Sequence, residues 1–412
     1  MWMRSVRQLV SPTWRARAWR LEHARLIWSS LVRGQGSRGS GLTEGDHLKA
    51  AVEWLCRAQD VMRDGGVCGR YALDGGWSSS YPETTGYIIP TFLALAQEFH
   101  DARFEERAAR AVRFLLAVQL PDGAFASGEV EENTVTPSVF NTAQILGGLT
   151  AWHRLTGDPR ALEAADHAAE WLVSAHESDG TWRRHLYEGL VTTYSAQATC
   201  WLAEFGAYRG VRSCLDAAER HLDWVLAHQD LASGWFDLAG FTSDDHAARR
   251  AVTHTIGYTL WGVLYTSEIL RRSDGVVAVA KAAGQIARRL ELTGWLPGVL
   301  DERWRGRARY ACLTGNAQLA LVWLRLCRHT HSAELLGAAC TALDLVARAQ
   351  PMFANDPDIR GGIPGSAPIW GGYLRYALPN WAAKFFIDAL LEKKRAVADL
   401  CAPSAPNPAA RG

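Results

Sequence analysis

The apolar positions of this chain fall at helical spacing almost throughout. In 104–119, Phe104, Ala108, Val112, Leu115 and Val118 line one stripe and polar residues take the other side. Further helices with such a stripe are predicted at 160–176, 211–228, 275–290 and 332–349. Segments of a second kind alternate with them, at 84–99, 138–155, 192–208, 254–270, 312–328 and 379–394. These are more apolar all round: Ala317-Gln318-Leu319-Ala320-Leu321-Val322-Trp323-Leu324 has no charged side. A helix without a polar face is buried, so the second kind predicts an inner layer and the first an outer one. Asp158-Pro159 offers a cap and a first-turn proline to the helix that follows. No sustained strand pattern is present, although the longer turns have room for short hairpins.

The two kinds alternate with a period of about 55–60 residues. The joints are Gly-aromatic turns: Gly76-Trp77, Asp122-Gly123-Ala124-Phe125, Asp179-Gly180-Thr181-Trp182, Gly234-Trp235 and Gly294-Trp295. Gln59, Gln119, His176 and Gln229 close the preceding helices, and a degenerate sixth copy runs from Leu345 through Lys384. A fixed long period decides the architecture. The expectation is an all-α fold, an (α/α)6 toroid of six helix pairs over 43–400 with an extra N-terminal helical arm. Residues 1–42 form a basic, Trp-rich arm and a Gly/Ser linker, and 401–412 a Pro/Ala-rich tail expected to be disordered. Unpaired N–H groups and positive dipole ends of the inner helices converge on one mouth, which favours an anionic or polyhydroxylated ligand there.

Composition narrows this picture. A net charge of +1 over 412 residues gives the body no basis for binding nucleic acid. The 18 Trp suggest aromatic surfaces at a groove as well as core packing. Eight cysteines without a CxxC pair read as reduced, cytosolic usage. No membrane-length apolar run and no apolar secretory segment are found, so a cytoplasmic location is expected. In the arm, Arg4, Arg7, Arg15, Arg17, Arg20, Arg25, Arg33 and Arg38 face the single acid Glu22, with Trp2, Trp14, Trp19 and Trp28 interleaved. A helix over 14–31 groups Trp14, Leu21 and Trp28, which suits peripheral contact with anionic lipid through residues 1–33. The alternative is an arm packed on the toroid or left disordered.

The turns Gln119-Leu120-Pro121-Asp122-Gly123-Ala124-Phe125 and His176-Glu177-Ser178-Asp179-Gly180-Thr181-Trp182 resemble the repeats of the terpene cyclase and protein prenyltransferase toroids. The α/α-toroid superfamily also contains carbohydrate-active hydrolases, lyases and epimerases. Cys312-Leu313-Thr314-Gly315-Asn316-Ala317-Gln318, Gly365-Ser366-Ala367-Pro368-Ile369-Trp370 and Asn380-Trp381-Ala382-Ala383-Lys384-Phe385-Phe386 are similar to toroid proteins of bacterial surface-polysaccharide loci. The resemblance implies the fold over about 350 residues and leaves the chemistry open. A terpenoid cyclase needs a DxDD acid, and a diphosphate-ionising synthase a DDxxD. Asp244-Asp245-His246-Ala247-Ala248 meets neither pattern.

The resemblance implies a glycan-modifying enzyme of epimerase, lyase or hydrolase type in bacterial surface-polysaccharide synthesis, acting on an oligo- or polysaccharide with acid/base groups at the toroid mouth. A non-catalytic glycan-binding or scaffold protein is the first alternative and an atypical terpenoid cyclase the second. No cofactor or metal is implied. Glu83, in Ser80-Tyr81-Pro82-Glu83-Thr84-Thr85-Gly86-Tyr87, is the first acid/base candidate, and its bland reading is a helix cap. His254 takes the equivalent place three copies later, across the predicted mouth, and Tyr194 is a phenolic acid/base candidate. Substrate contacts are assigned to Trp77, Tyr81, Tyr87, Asn141, Tyr258, Asp245, His246, Arg309, Asn316, Asn380 and Lys384. Trp182 and Trp235 serve either as sugar platforms or as staples between repeats. Asp244 to His246 reads as a lid acid, a metal site or a polar loop, and Glu129, Glu131 and Glu132 as a solvated loop or a metal site.

Overall fold

The computed structural model describes residues 20–32, 41–130 and 135–401. Its helices are α1 (Leu21–Val32), α2 (Glu44–Asp60), α3 (Pro82–Phe99), α4 (Arg103–Val118), α5 (Val139–Thr156), α6 (Pro159–Ser174), α7 (Ala196–Arg209), α8 (Arg212–Ala227), α9 (Ser243–Ala247), α10 (Thr253–Leu270), α11 (Ser273–Thr293), α12 (Leu313–Thr330), α13 (Ala333–Ala349) and α14 (Asn380–Cys401). Helices α3, α5, α7, α10, α12 and α14 each pack on the next, and α14 returns to α3. The inner ring is closed. These are the segments without a polar face, and α12 alone buries Leu313 through Leu324. The striped helices α2, α4, α6, α8, α11 and α13 form the outer layer. Asp158 caps α6 as its sequence predicts, its carboxylate accepting from the Arg160 amide.

Along the sequence the unit reads outer helix, long turn, inner helix. In space the closest pairs are inner helix, short link, outer helix: α3 with α4, α5 with α6, α7 with α8, α10 with α11 and α12 with α13. The last inner helix, α14, has no outer helix after it and packs on the first, α2. The two ends of the chain thus complete the sixth pair. All long turns lie at the end where the inner helices begin, and all short links lie at the other.

The long turns carry β1 (Arg70–Ala72), β2 (Gly76–Trp77), β3 (Arg250–Val252), β4 (Val299–Asp301), β5 (Ala311–Cys312), β6 (Ser366–Ala367) and β7 (Ala377–Pro379). Only β1–β2 is a hairpin within one turn. The other antiparallel pairs join neighbouring turns: β3 with β4, β5 with β6, and β1 with β7, where Tyr71 faces Leu378. The β1–β7 pair bridges the last turn to the first.

The repeated Gln is a staple. Gln119 donates to the carbonyls of Gly123 in its own turn (3.0 Å) and Ala164 in the next outer helix (2.8 Å). Gln59 and Gln229 make the same two contacts, to Gly65 and Arg107 and to Gly234 and Ala278. Gln350 reaches Gly361 (2.7 Å) and His47 (3.2 Å), which carries the pattern across the closure. In the copy where His176 replaces Gln, a ring nitrogen of His221 meets the Gly180 carbonyl at 2.7 Å. The turn glycines are required by geometry: Gly361 has φ +85, and a Cβ there would lie 2.2 Å from the Ala50 carbonyl oxygen. Trp182 and Trp235 are buried in this layer, so their role is the staple rather than an open sugar platform.

Helix α1 packs on the toroid. His23 is buried 3.2 Å from the Tyr71 hydroxyl, and Glu22 accepts from the Asn355 amide at 3.1 Å. Leu21 and Trp28 stay exposed. The predicted helix start at Trp14, the remaining arm before Arg20, the linker, Glu131, Glu132 and the tail after Cys401 lie outside the described residues. Among the described residues no helix is long and apolar enough to cross a membrane.

Candidate active site

The first turns of the inner helices place Glu83, Phe140, His254 and Trp381 around the long-turn mouth. Four residues further along each helix from the positions of Glu83, Phe140, Thr193, His254, Thr314 and Asn380 come Tyr87, Gln144, Gln197, Tyr258, Gln318 and Lys384. The two layers follow from a helical repeat that returns a side chain to the same face after four residues.

Glu83 is 8% exposed. Pro82 occupies the first helical position, and the N-cap residue Tyr81 makes no side-chain cap bond to its own helix. Instead the Tyr81 hydroxyl donates to Glu83 Oε2 at 2.7 Å. Burial raises the Glu83 pKa to about 7, and the Tyr81 bond only partly offsets this. The carboxyl faces a set of phenols. Burial, with a contribution from the Glu83 charge, raises the hydroxyl pKa values of Tyr81, Tyr87, Tyr194, Tyr258 and Tyr373.

His254 is 5% exposed and lies at the other side of these tyrosines. Its ring centroid is 4.4 Å from that of Tyr258 and 5.4 Å from that of Tyr373. Nδ1 meets Gln318 Oε1 at 2.7 Å. An amide oxygen only accepts, so Nδ1 carries the proton and Nε2 keeps its lone pair. Burial lowers the His254 pKa to about 4, against a smaller opposing effect of the Gln318 bond. The mouth therefore holds a carboxyl protonated up to near neutrality and an imidazole that stays neutral well below it. Rings enclose them: Phe140 meets Tyr258 at 5.1 Å and Tyr194 at 5.9 Å, and Phe241 meets Tyr194 at 5.7 Å and His254 at 6.2 Å.

Of the residues singled out in the sequence, Glu83, His254, Tyr81, Tyr87, Tyr194 and Tyr258 come together here. Lys384 adjoins them in the second layer, with Nζ 5.1 Å from the Tyr87 ring and 2.7 Å from Asp388. The others are held elsewhere or otherwise engaged. Trp77 packs between Trp54 and Tyr71, toward the outer layer. Asn141 donates to the Ala126 carbonyl and its side chain also bonds the Tyr81 hydroxyl, so it stays at the mouth, whereas Asn316 donates to the Cys312 carbonyl. Asn380 ties Cys68 to Thr84 across the ring closure. Asp245 pairs with Arg250, and His246 turns back to the Gly240 carbonyl, so this loop is bonded to itself. Glu129 pairs with Arg70. Arg309 is exposed and lines a separate cavity of about 370 Å³ with Trp295, Trp370 and Leu26. Among the described residues no group of three or more His, Cys, Asp or Glu is placed to hold a metal.

Sequence reasoning missed Tyr373 and Phe241, which sit in irregular turns outside the repeat register. It also passed over Gln318 as the partner of His254, although the spacing of four between inner-layer positions was present in the sequence.

The sequence profile of the beta-L-arabinofuranosidase GH127 catalytic domain matches residues 75–259, less than half of the chain. Copalyl diphosphate synthase of Streptomyces cyslabdanicus is 26% identical over 278 residues, covering 57% of this chain. The chain spans about half the length of that relative, 51%. Among solved structures, unsaturated glucuronyl hydrolase from Bacillus sp. GL1 superposes with a TM-score of 0.68 at 14% identity, covering 86% of this chain and 98% of the other. Cellobiose 2-epimerase from Spirochaeta thermophila gives 0.67 at 16% identity, over 92% and 98%. The fold of this chain is the α/α toroid that these carbohydrate-active enzymes share.

Proposed function

We propose that this protein is a carbohydrate-active enzyme that moves protons on a sugar at the long-turn mouth, with Glu83 as acid and His254 as base. The observation that carries the reading is the opposed titration of these two buried groups around the same tyrosines, about 7 for the carboxyl and about 4 for the imidazole. Environments that push two groups apart in this way set acid and base assignments near neutral pH. Glycoside hydrolysis ordinarily pairs two carboxyl groups. Here the counterpart of Glu83 is an imidazole, which favours an epimerase-type reaction over a hydrolase or lyase.

In that reaction His254 Nε2 takes the proton from the carbon beside the carbonyl of an open-chain sugar. The electron pair of that C–H bond moves toward the carbonyl oxygen, to which tyrosine hydroxyls donate. Glu83 delivers a proton to the opposite face of the carbon. His254 is left protonated and Glu83 ionised until solvent exchange resets both. The resemblance of 312–318, 365–370 and 380–386 to proteins of surface-polysaccharide loci supports a glycan of that kind as the substrate.

The test is incubation with reducing mono- and disaccharides in D2O, read by NMR. Deuterium beside the anomeric carbon, together with the epimeric product, is expected, and Glu83→Gln and His254→Ala should each abolish both signals. Sugar binding without exchange or product would instead support a non-catalytic glycan-binding role. A second reading, a terpenoid cyclase protonating through Glu83, is favoured by the aromatic rings around a neutral carboxylic acid, since such rings stabilise a cation. Relatives at 26% and 28% identity are diphosphate synthases, which also favours it, whereas the lack of DxDD counts against it. Cyclised product from a prenyl diphosphate, with no exchange on any sugar, would establish this second reading in place of the first.

A further inference from the structure

The central channel has a second opening, at the short-link end. A cavity of about 360 Å³ lies there between the inner helices, within the size range of small-molecule sites. Tyr87, Gln197, Gln318 and Lys384 of the second layer form its floor, and since Tyr87 and Gln318 also belong to the long-turn mouth, the two spaces back onto each other across this layer. Trp201, Trp261 and Tyr265, all partly exposed, form an aromatic wall with ring centroids 5.9–6.0 Å apart.

The charges of this cavity define what fits. Each cation lining it already has a carboxylate: Arg154 meets Glu204 at 2.8 Å, Arg325 meets Glu268 at 2.5 Å, Lys384 meets Asp388 at 2.7 Å and Arg395 meets Glu392 at 3.7 Å. A phosphate or a sugar acid entering here would have to displace a carboxylate from its partner. An uncharged ligand rich in hydroxyls would not. It can donate to the remaining carboxylate lone pairs and accept from the remaining N–H groups, which the ion pairs hold in fixed directions. A second observation points to a bound polar ligand. Gln197 is 3% exposed and its Oε1 has no donor among the described residues. Its neighbour in the layer, Gln144, gives its Oε1 to the Trp201 indole at 2.7 Å and leaves Nε2 without an acceptor. Buried polar atoms are nearly always bonded, so an unpaired acceptor in a cavity floor marks a place for a donor from outside.

We infer that the short-link end of the channel is a second binding site, for a neutral sugar, distinct from the acid/base mouth. Arg154 and Glu204 bond its hydroxyls, Gln197 accepts from one of them, and the Trp201–Trp261–Tyr265 wall receives its apolar face.

The experiment is calorimetric titration of the full-length protein with glucose, galactose, mannose, cellobiose and maltose, and with glucuronate and inorganic phosphate as charged probes. Saturable binding of at least one neutral sugar is expected, with neither charged probe binding. Glu204→Gln and Gln197→Leu should each weaken one component of that binding at least tenfold, and that component should persist in Glu83→Gln whatever happens to binding at the mouth. Thermal melts of all three variants confirm that they fold, and Glu204 at the rim serves if Gln197→Leu does not. Absence of binding by every neutral sugar, or tighter binding of glucuronate or phosphate, overturns the inference. So does binding that is lost in Glu83→Gln and kept in Gln197→Leu and Glu204→Gln. Failure of the acid/base reading looks different: sugar bound here, sensitive to Gln197→Leu, with no turnover.

Discussion

The two ends of the central channel are built from the same six helices and hold different electrostatics. At the long-turn end the ion pairs, such as Arg250 with Asp245 and Arg307 with Asp301, stay within the turns, whereas Glu83 and His254 lie among aromatic rings. Among the described residues Glu83 is bonded by the Tyr81 hydroxyl and His254 by the Gln318 amide. At the short-link end, Arg154, Arg325, Lys384 and Arg395 each face a carboxylate, and several of these side chains reach solvent. Isolation in a low-dielectric setting shifts a pKa strongly, whereas a compensated pair near water does not need to move. The difference underlies the roles proposed for the two ends. The end where Glu83 and His254 lie among rings can hold an acid and a base ready at one pH, and the end lined by ion pairs can hold a ligand without reacting with it.

The largest expected effect separates the ends by chemistry. Glu83→Gln should lower turnover by roughly 10²–10⁴, the usual worth of a general acid or base, while Glu204→Gln leaves kcat within a few-fold. Equal losses in both variants would erase the distinction.

Next comes the pH dependence of stability. The folded pKa of Glu83 lies above its unfolded value, so its contribution is present below about 4.5 and is lost as pH rises through about 7. The folded pKa of His254 lies below its unfolded value, so its contribution is present above about 6.5 and is lost as pH falls through about 4. Over most of this window the two slopes oppose and nearly cancel. Relative to the wild type, Glu83→Gln should therefore gain stability between pH 4.5 and 7, by about 3 kcal/mol. His254→Asn should change in the opposite sense by a similar amount. Denaturant midpoints at several pH values check this, and parallel curves for all three proteins would contradict it.

A smaller effect is expected at Gln318→Leu, which leaves the buried Nδ1–H of His254 without an acceptor. The cost should be about 1–3 kcal/mol, and the variant should also shift the pH–rate profile, which a merely structural loss would not do. The smallest effect belongs to the short-link end. Glu204→Gln breaks one partly exposed ion pair and should cost less than about 1 kcal/mol, falling further in high salt. A salt-insensitive loss of several kcal/mol there would mean that the pairs are buried load rather than a compensated rim.

Much of the architecture was legible from the residues. The alternation of striped and all-apolar helices predicted the outer and inner layers, and the period predicted six pairs. Both readings hold because burial follows from the faces of individual helices. The strands were less accessible. Most pair between neighbouring turns, such as Tyr71 with Leu378, and no local pattern encodes a partner that far away. The sequence did not assign the repeated Gln a role, because its second acceptor lies one repeat further on.

What the sequence determined by itself was the kind of fold and the short list around Glu83. Its Tyr-Pro-Glu start and its place opposite His254 follow from helix periodicity and copy number. The tertiary structure decided which of the listed residues share a site. Asn316 and Asn380 have the same local signals as functional residues but are used to hold a turn and the ring closure. Only closure of the ring brings Tyr373, Tyr258 and Gln318 against the two titratable groups. That contact excludes water, and the resulting desolvation moves one pKa up and the other down. A pKa shift of that origin depends on neighbours from several repeats at once, so no single stretch of the chain can specify it.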